Sequence, residues 1–299
     1  MCNHHENNSQ NTATFAVAAA SVPTFKYGRD IGFAEMSPVI AEKKLQEGGM
    51  FVASREETFV ADGEVVVDMA KNEIRVIVPA GVKITLTEKI LRGMPFVEAQ
   101  IVVVVGEGSE VCYEIPAEQF RDAMIFVQRI AEVAAGAKMI WVDRGVQCMF
   151  SQSWTETQLL GEGAGVQAVI CAKFFGETKA DLHTHVSHLS PRTFSHISTR
   201  VVADDAVKVV TRDAVQIGKS VVGCDARQAS KVLLLSPHAS CHAVPQLEIA
   251  TDEVTAKHSA SITKVDEAQI FALMSRGVAR EEAKTMIVEG FLYDEQYAK

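Results

Sequence analysis

Between about residues 51 and 115, apolar and polar positions alternate in short runs. In VKITLTE, Val82, Ile84 and Leu86 fall on one face while Lys83, Thr85 and Thr87 fall on the other, which is the period of a half-buried strand. EIRVIVP groups Ile74, Val76 and Val78 in the same way, and Asp62-Gly63, Ala80-Gly81 and Gly106 to Gly108 punctuate the runs. Residues 101–105 (IVVVV) are apolar on both faces, as expected of a strand covered on both sides. The stretch 117–135 is ambiguous. Phe120, Met124, Ala131 and Ala134 suit a helix face, but MIFV suits a strand, and the expectation is a helical first half followed by a strand. Strand-like runs then resume: AKMIWVD, VQCMFSQSW, VQAVICAKFF, DLHTHVSH, HISTRVV, AVKVV, AVQIG, KVLLLS and QLEIA.

So many short runs, joined mostly by tight polar turns rather than helices, exclude a doubly wound fold. Sandwich, barrel and β-helix remain, and a continuous β pattern over more than 200 residues favours the solenoid, where each coil buries its face on the next. No exact repeat is visible. Residues 1–13 are polar and aperiodic and read as a disordered tail. Residues 14–50 read as a helical segment, its weak pattern after residue 30 broken by Gly48-Gly49. The β-helix core is placed at 51–262 and a helical segment at 263–299. In that last segment Asp266 is an N-cap with Gln269 three residues on, Ile270, Leu273 and Met274 form a stripe, and Gly277 stands where a left-handed residue ends a helix. A second helix starts near Arg280, with Ala283, Met286, Ile287 and Phe291 at helical spacing. The pair is either an end cap or a docking surface.

Composition narrows the function classes. The 299 residues are 47% apolar and carry a net charge of −9, with no basic stripe of the kind nucleic acid requires. No run reaches the roughly 18 apolar residues of a membrane span. The apolar segment Thr14 to Val22 follows acidic Glu6 and makes a poor signal peptide. Six scattered cysteines without a CxxC pair fit reduced thiols in a cytoplasmic setting.

Three places carry candidate chemistry. Gly218-Lys219-Ser220 resembles the end of a phosphate loop, but Asp213 stands where that loop needs glycine, so no nucleotide site is expected. His183 and His185 share one side of a strand, with His188 and His196 nearby. Such imidazoles bind metals, and a metal-dependent or polysaccharide-active β-helix enzyme is the alternative they support; a polar exterior ladder is the plainer reading. His238, Cys241 and His242 lie in HASCH, and His258 follows. Thiolate and imidazole suit iron or a cluster edge, but with one cysteine there a cluster would be labile, shared between subunits or absent. Cys148, Cys171 and Cys224 default to core packing. Cys2, His4 and His5 could hold a metal, against the plainer reading of a flexible terminus.

The last third of the chain resembles a known family. LLLS, the P-x-LEI strand at Pro245 to Ile249, the His-small-Ala step at His258 to Ala260, and QIF…SRG occur in the order found at the end of the SufB/SufD family. Upstream, DLHTHVSHLSPRTFSHISTR resembles that family's H-x4-T-x-S region and AVQIG its following strand. The resemblance covers about residues 181–292; residues 45–180 agree in strand character only.

That resemblance implies a right-handed parallel β-helix that dimerises through its coils, with a SufB-like paralogue or with itself. It implies a SufC-like ABC ATPase docked on the C-terminal helices, and a non-catalytic scaffold that builds or transfers nascent, transient iron–sulfur clusters. The chain would then bind no nucleotide itself. Carried over by position, His258 stands where the family has an interface histidine, and Cys241 lies in the segment of the SufB-type scaffold cysteine. The Cys241-to-Pro245 spacing is shorter than in SufB-type members, and Ser259 replaces their glutamate, so the chain is nearer SufD with an added cysteine. Gln269, Phe271, Arg276 and Gly277 match the helix signature and mark the region of the ATPase-docking surface; for Phe271 and Gly277, core packing and helix capping compete with that role.

Overall fold

The structure, a computed structural model, describes residues 73–90 and 95–293, together with the strand segments 12–17, 60–61 and 65–70. Alternation of apolar side chains dictates its form. Val76 and Val78, or Ile84 and Leu86, are buried while the residues between them are less so. Each strand thus buries one face, and the buried faces of two sheets meet. The first sheet takes β1 (Thr12–Val17) and the odd strands from β5 on: β5 (Lys83–Ile90), β7 (Glu110–Ile115), β9 (Lys138–Asp143), β11 (Gly165–Phe174), β13 (Phe194–Ala203), β15 (Asp225–Leu234) and β17 (Thr255–Lys264). The second takes β2 (Val60–Ala61), β3 (Val65–Ala70), β4 (Glu73–Val78), β6 (Phe96–Val105), β8 (Glu118–Val133), β10 (Val146–Leu159), β12 (Lys179–His188), β14 (Lys208–Ile217) and β16 (Ser240–Ile249).

From β4 onward every pairing is parallel, and successive strands alternate between the sheets. This is the expected parallel β-helix, each coil contributing one strand to each sheet. Phe150 pairs with Lys179 and Lys179 with Lys208, a step of 29 residues each time. The step is 27 from Lys83 to Glu110 and 32 from Lys208 to Ser240. That drift, taken up at the corners, hides the repeat from the sequence. Corners are tight: a Cβ on Gly161 would stand 2.0 Å from the backbone nitrogen of Ala135 in the coil before, so only glycine lets the two chains stack there.

One expectation is corrected. The half of 117–135 expected to be helical belongs to the single strand β8. The step from Cys148 to Phe150 on β10 matches a step from Phe120 to Met124 on β8, so β8 bulges by two residues. Both strands change face across this irregularity: Phe120 and Cys148 lie in the main core, whereas Met124, Phe126 and Phe150 form a cluster on the outer face. The bulge, with apolar residues on both faces beyond it, produced spacing that imitates a helix.

Helix α1 (Glu267–Met274) begins at Asp266, whose carboxylate accepts from the Ala268 amide, and Gly277 follows it at φ +91°, as read from the sequence. Helix α2 (Arg280–Leu292) lays Val288 on Val202 of β13 and Leu233 of β15, with Ile287, Phe291 and Leu292 around them. Val202 and Leu233 point outward, so α2 covers the outer side of the first sheet and leaves the end of the solenoid open. Arg200 locks this arrangement by donating to the carbonyls of Phe291 and Tyr293. Of the expected helical segment at 14–50, residues 14–17 lie in β1 and the remainder lies outside the described residues, as do Cys2, His4 and His5.

Candidate functional site

β16 and β17 each end their sheet. Among the described residues no further coil stacks on the last one, and its inner face is open at this end. Ladder register fixes which residues line that face. Cys241 pairs with buried Val209 and His258 with buried Gln228, so both point to the lumen. The sheets diverge in exposure: His258 is exposed, whereas Cys241 is 8% exposed. They are also apart. Cys241 stands eight residues before the end of β16 and His258 three residues into β17, and the chain reverses between these strands. At about 3.3 Å per residue they lie about 16 Å apart along the strand direction. His242 faces outward beside Cys241, and His238 sits in the preceding turn, so HASCH gathers no joint ligand set.

Burial, and secondarily the Asp213 carboxylate, push the Cys241 thiol up to about 12. At neutral pH this sulfur keeps its proton until a soft metal or sulfur species displaces it. The five described cysteines are free thiols. Cys148 and Cys224 are buried in the core, as expected, whereas Cys171, between core residues Ile170 and Ala172 on β11, is half-buried and outside it.

Below the open end the lumen turns polar, and this the sequence reading missed. Asp213, on β14, is buried; Ser230 Oγ donates to its carboxylate, with Thr184 and Thr199 beside it. Desolvation raises its pKa against these hydroxyls, which lower it. Gln228 donates through Nε2 to the Asp213 carbonyl at 2.7 Å. Deeper, Arg129 grips Glu88, Tyr113 donates to the same carboxylate at 2.8 Å, and Arg129 Nη1 donates to Ser153 at 2.8 Å. Ser153 donates in turn to Asp143 at 3.2 Å. The available signal was a polar residue at an inward position of an alternating strand: Arg129 between Val127 and Ala131, Asp213 between Thr211 and Val215.

The histidine cluster does not assemble. His183 and His185 face outward, and His183 stacks on Trp154 at 4.4 Å and meets Asp181 at 3.1 Å. His188 points into the core, bonded to Thr193 and Ser195 at 2.8 Å each. An odd number of residues separates it from both, so the pleat sends it to the opposite face. The alternative enzyme reading loses its third imidazole. Among the described residues no three His, Cys, Asp or Glu side chains form a group that could hold a metal ion. Gly218 to Ser220 form a corner turn in which Val221 N bonds to Gly218 O. On α1, Phe271 is 72% exposed, and Gln269, Arg276 and Gly277 are also exposed. Core packing is thereby excluded for Phe271, and Gly277 closes the helix end.

Stacked parallel sheets, a largely apolar interior with polar islands at Arg129 and Asp213, and a last coil left uncovered among the described residues define a β-solenoid, and no described helix is long and apolar enough to cross a membrane. A family model described as "SUF system FeS cluster assembly, SufBD core domain" matches residues 59–291. An iron-sulfur cluster assembly SufBD family protein of Mycobacterium bovis is 29% identical over 167 residues, 56% of this chain and 20% of that protein. One of Staphylococcus aureus is 29% identical over 195 residues, 65% of this chain and 42% of that protein. The chain thus aligns with less than half the length of these relatives. It belongs to the SufBD family of iron–sulfur cluster assembly proteins.

Proposed function

We propose that the chain is a non-catalytic scaffold subunit on which iron–sulfur clusters are built, working with a SufC-like ABC ATPase supplied by another polypeptide. One observation carries this reading: the family match spans every strand from β2 to β17, and the open coil at the end carries His258 on its inner face. His258 is the ligand at a seam where a second solenoid, a SufB-like paralogue or another copy, pairs with β16 and β17. Cys241 is a separate station that accepts sulfur or iron, because about 16 Å of strand keeps it from sharing a small cluster with His258. The remaining ligands of a cluster come from the pairing chain, and the cluster is cargo rather than a resident group.

Exposed Phe271, with Gln269, Arg276 and the turn at Gly277, forms the ATPase-docking surface; an exposed aromatic of this kind is an interface anchor. Free thiols support a reducing, cytoplasmic setting. Cys241→Ala and His258→Ala are expected to melt as wild type does and to lose cluster in anaerobic reconstitution with the partner subunits. Unchanged yield in both would remove the site assignment. The burial of Cys241 favours a second reading, a structural partner in the ATPase complex that ligates nothing; it expects ATPase copurification with full activity in both variants.

A further inference from the structure

We propose that Gln228 is a positioning residue for His258: its side-chain oxygen accepts one imidazole N–H and turns the other ring nitrogen toward the seam. The role rests on reading His258 as a ligand; the hydrogen bond itself does not.

Gln228 lies directly beneath His258, as its ladder partner on the neighbouring strand β15, about 4.8 Å away across the sheet. It is 3% exposed. Its Nε2 is committed to the Asp213 backbone carbonyl, and this settles which end of the amide is which, since an oxygen there would face an oxygen. Oε1 is thereby fixed, buried, and without a hydrogen-bond partner. A buried acceptor left unmet is costly, so a donor belongs there. The coil above offers few. Its inward residues are Cys241, Ala243, Pro245, Leu247 and Ile249 on β16, and Ala256, His258, Ala260, Ile262 and Lys264 on β17. Cys241 and Lys264 stand several residues away along their strands. His258 is the donor at hand, and its exposed ring is free to rotate onto the amide.

The consequence is chemical. A neutral imidazole binds a metal through the nitrogen that lacks hydrogen, and an acceptor on the other nitrogen selects that tautomer and fixes the ring plane. Asp213, through its backbone carbonyl, thus holds the amide that holds the ligand.

The test is the His258 ring in a long-range proton–nitrogen spectrum of the full chain, assigned by its loss in His258→Ala. Wild type is expected to show a single neutral tautomer, and Gln228→Leu a mixture. Cluster retained after anaerobic reconstitution with the partner subunits should fall about tenfold in Gln228→Leu. Equal tautomer populations in wild type and Gln228→Leu would overturn the proposal. Should His258→Ala leave cluster yield unchanged, the ligand reading falls alone, because the spectrum reports the hydrogen bond without any cluster.

Discussion

Inside the solenoid Arg129 holds Glu88 in a two-pronged ion pair, Nε at 2.6 Å and Nη2 at 2.7 Å from the two carboxylate oxygens, with each side chain about 1% exposed. Two opposite charges so placed satisfy one another but were both taken out of water. Burial opposes the arginine charge and Glu88 restores it, so Arg129 stays protonated; the pKa of Tyr113 is raised chiefly by its own desolvation and then by the Glu88 charge, with Arg129 opposing.

Breaking this pair from one side is expected to be severe. Arg129→Met or Glu88→Gln should each cost about 3–5 kcal/mol, because an unpaired buried charge or acceptor set remains. Replacing both with apolar residues of similar volume should cost less than either change alone. Urea melts of the three variants check this, and additive losses would count against the account.

His188 sets an acid limit. Desolvation lowers its pKa from the ordinary 6.5 to about 4, so the unfolded chain takes up this proton before the folded one does. The stability it contributes is complete above pH 6.5 and is lost as pH falls toward 4, amounting to about 3 kcal/mol. Stability measured against pH should slope through that window, and His188→Asn should flatten the slope even if it lowers the plateau.

Cys241 should be a slow thiol. With its pKa pushed up to about 12, iodoacetamide at pH 8 is expected to alkylate it at least tenfold more slowly than the same cysteine in the urea-unfolded chain. Mass spectrometry of the peptide containing Cys241 reads the rate. Labelling at the unfolded rate would show that the coil end breathes open.

Phe271 should matter to association and little to folding. Phe271→Asp changes an exposed position, so its effect on stability should stay within about 0.5 kcal/mol, while recovery of the ATPase in a pull-down should fall at least tenfold. An undiminished pull-down would remove the docking surface from α1.

Much of the fold was legible because strands announce themselves by period two: VKITLTE and EIRVIVP were read to the correct face. The β8 bulge was not, because two extra residues between Phe120 and Met124 convert a strand's spacing into a helix's. In the site, the inward direction of Cys241 and His258 follows from alternation, but their separation does not, since it depends on where the chain turns between Ile249 and Thr255. The polar lumen was invisible for a similar reason. Arg129 meets Glu88 from a strand of the other sheet, 41 residues away in sequence, and no local pattern records that encounter. Buried Gln228 passed unnoticed because one glutamine in a strand is usually a surface residue.

Among the described residues, no strand pairs with the outer rows of amides and carbonyls of the last coil, one along β16 and one along β17. Such borders invite any extended peptide to add itself, and proteins ordinarily blunt them. Here Pro245 interrupts one border, a residue tolerated only on a strand with a free side. On the pairing proposed above, a chain made without a second solenoid exposes a template for misassembly, and its solubility should depend on how promptly a matching border arrives.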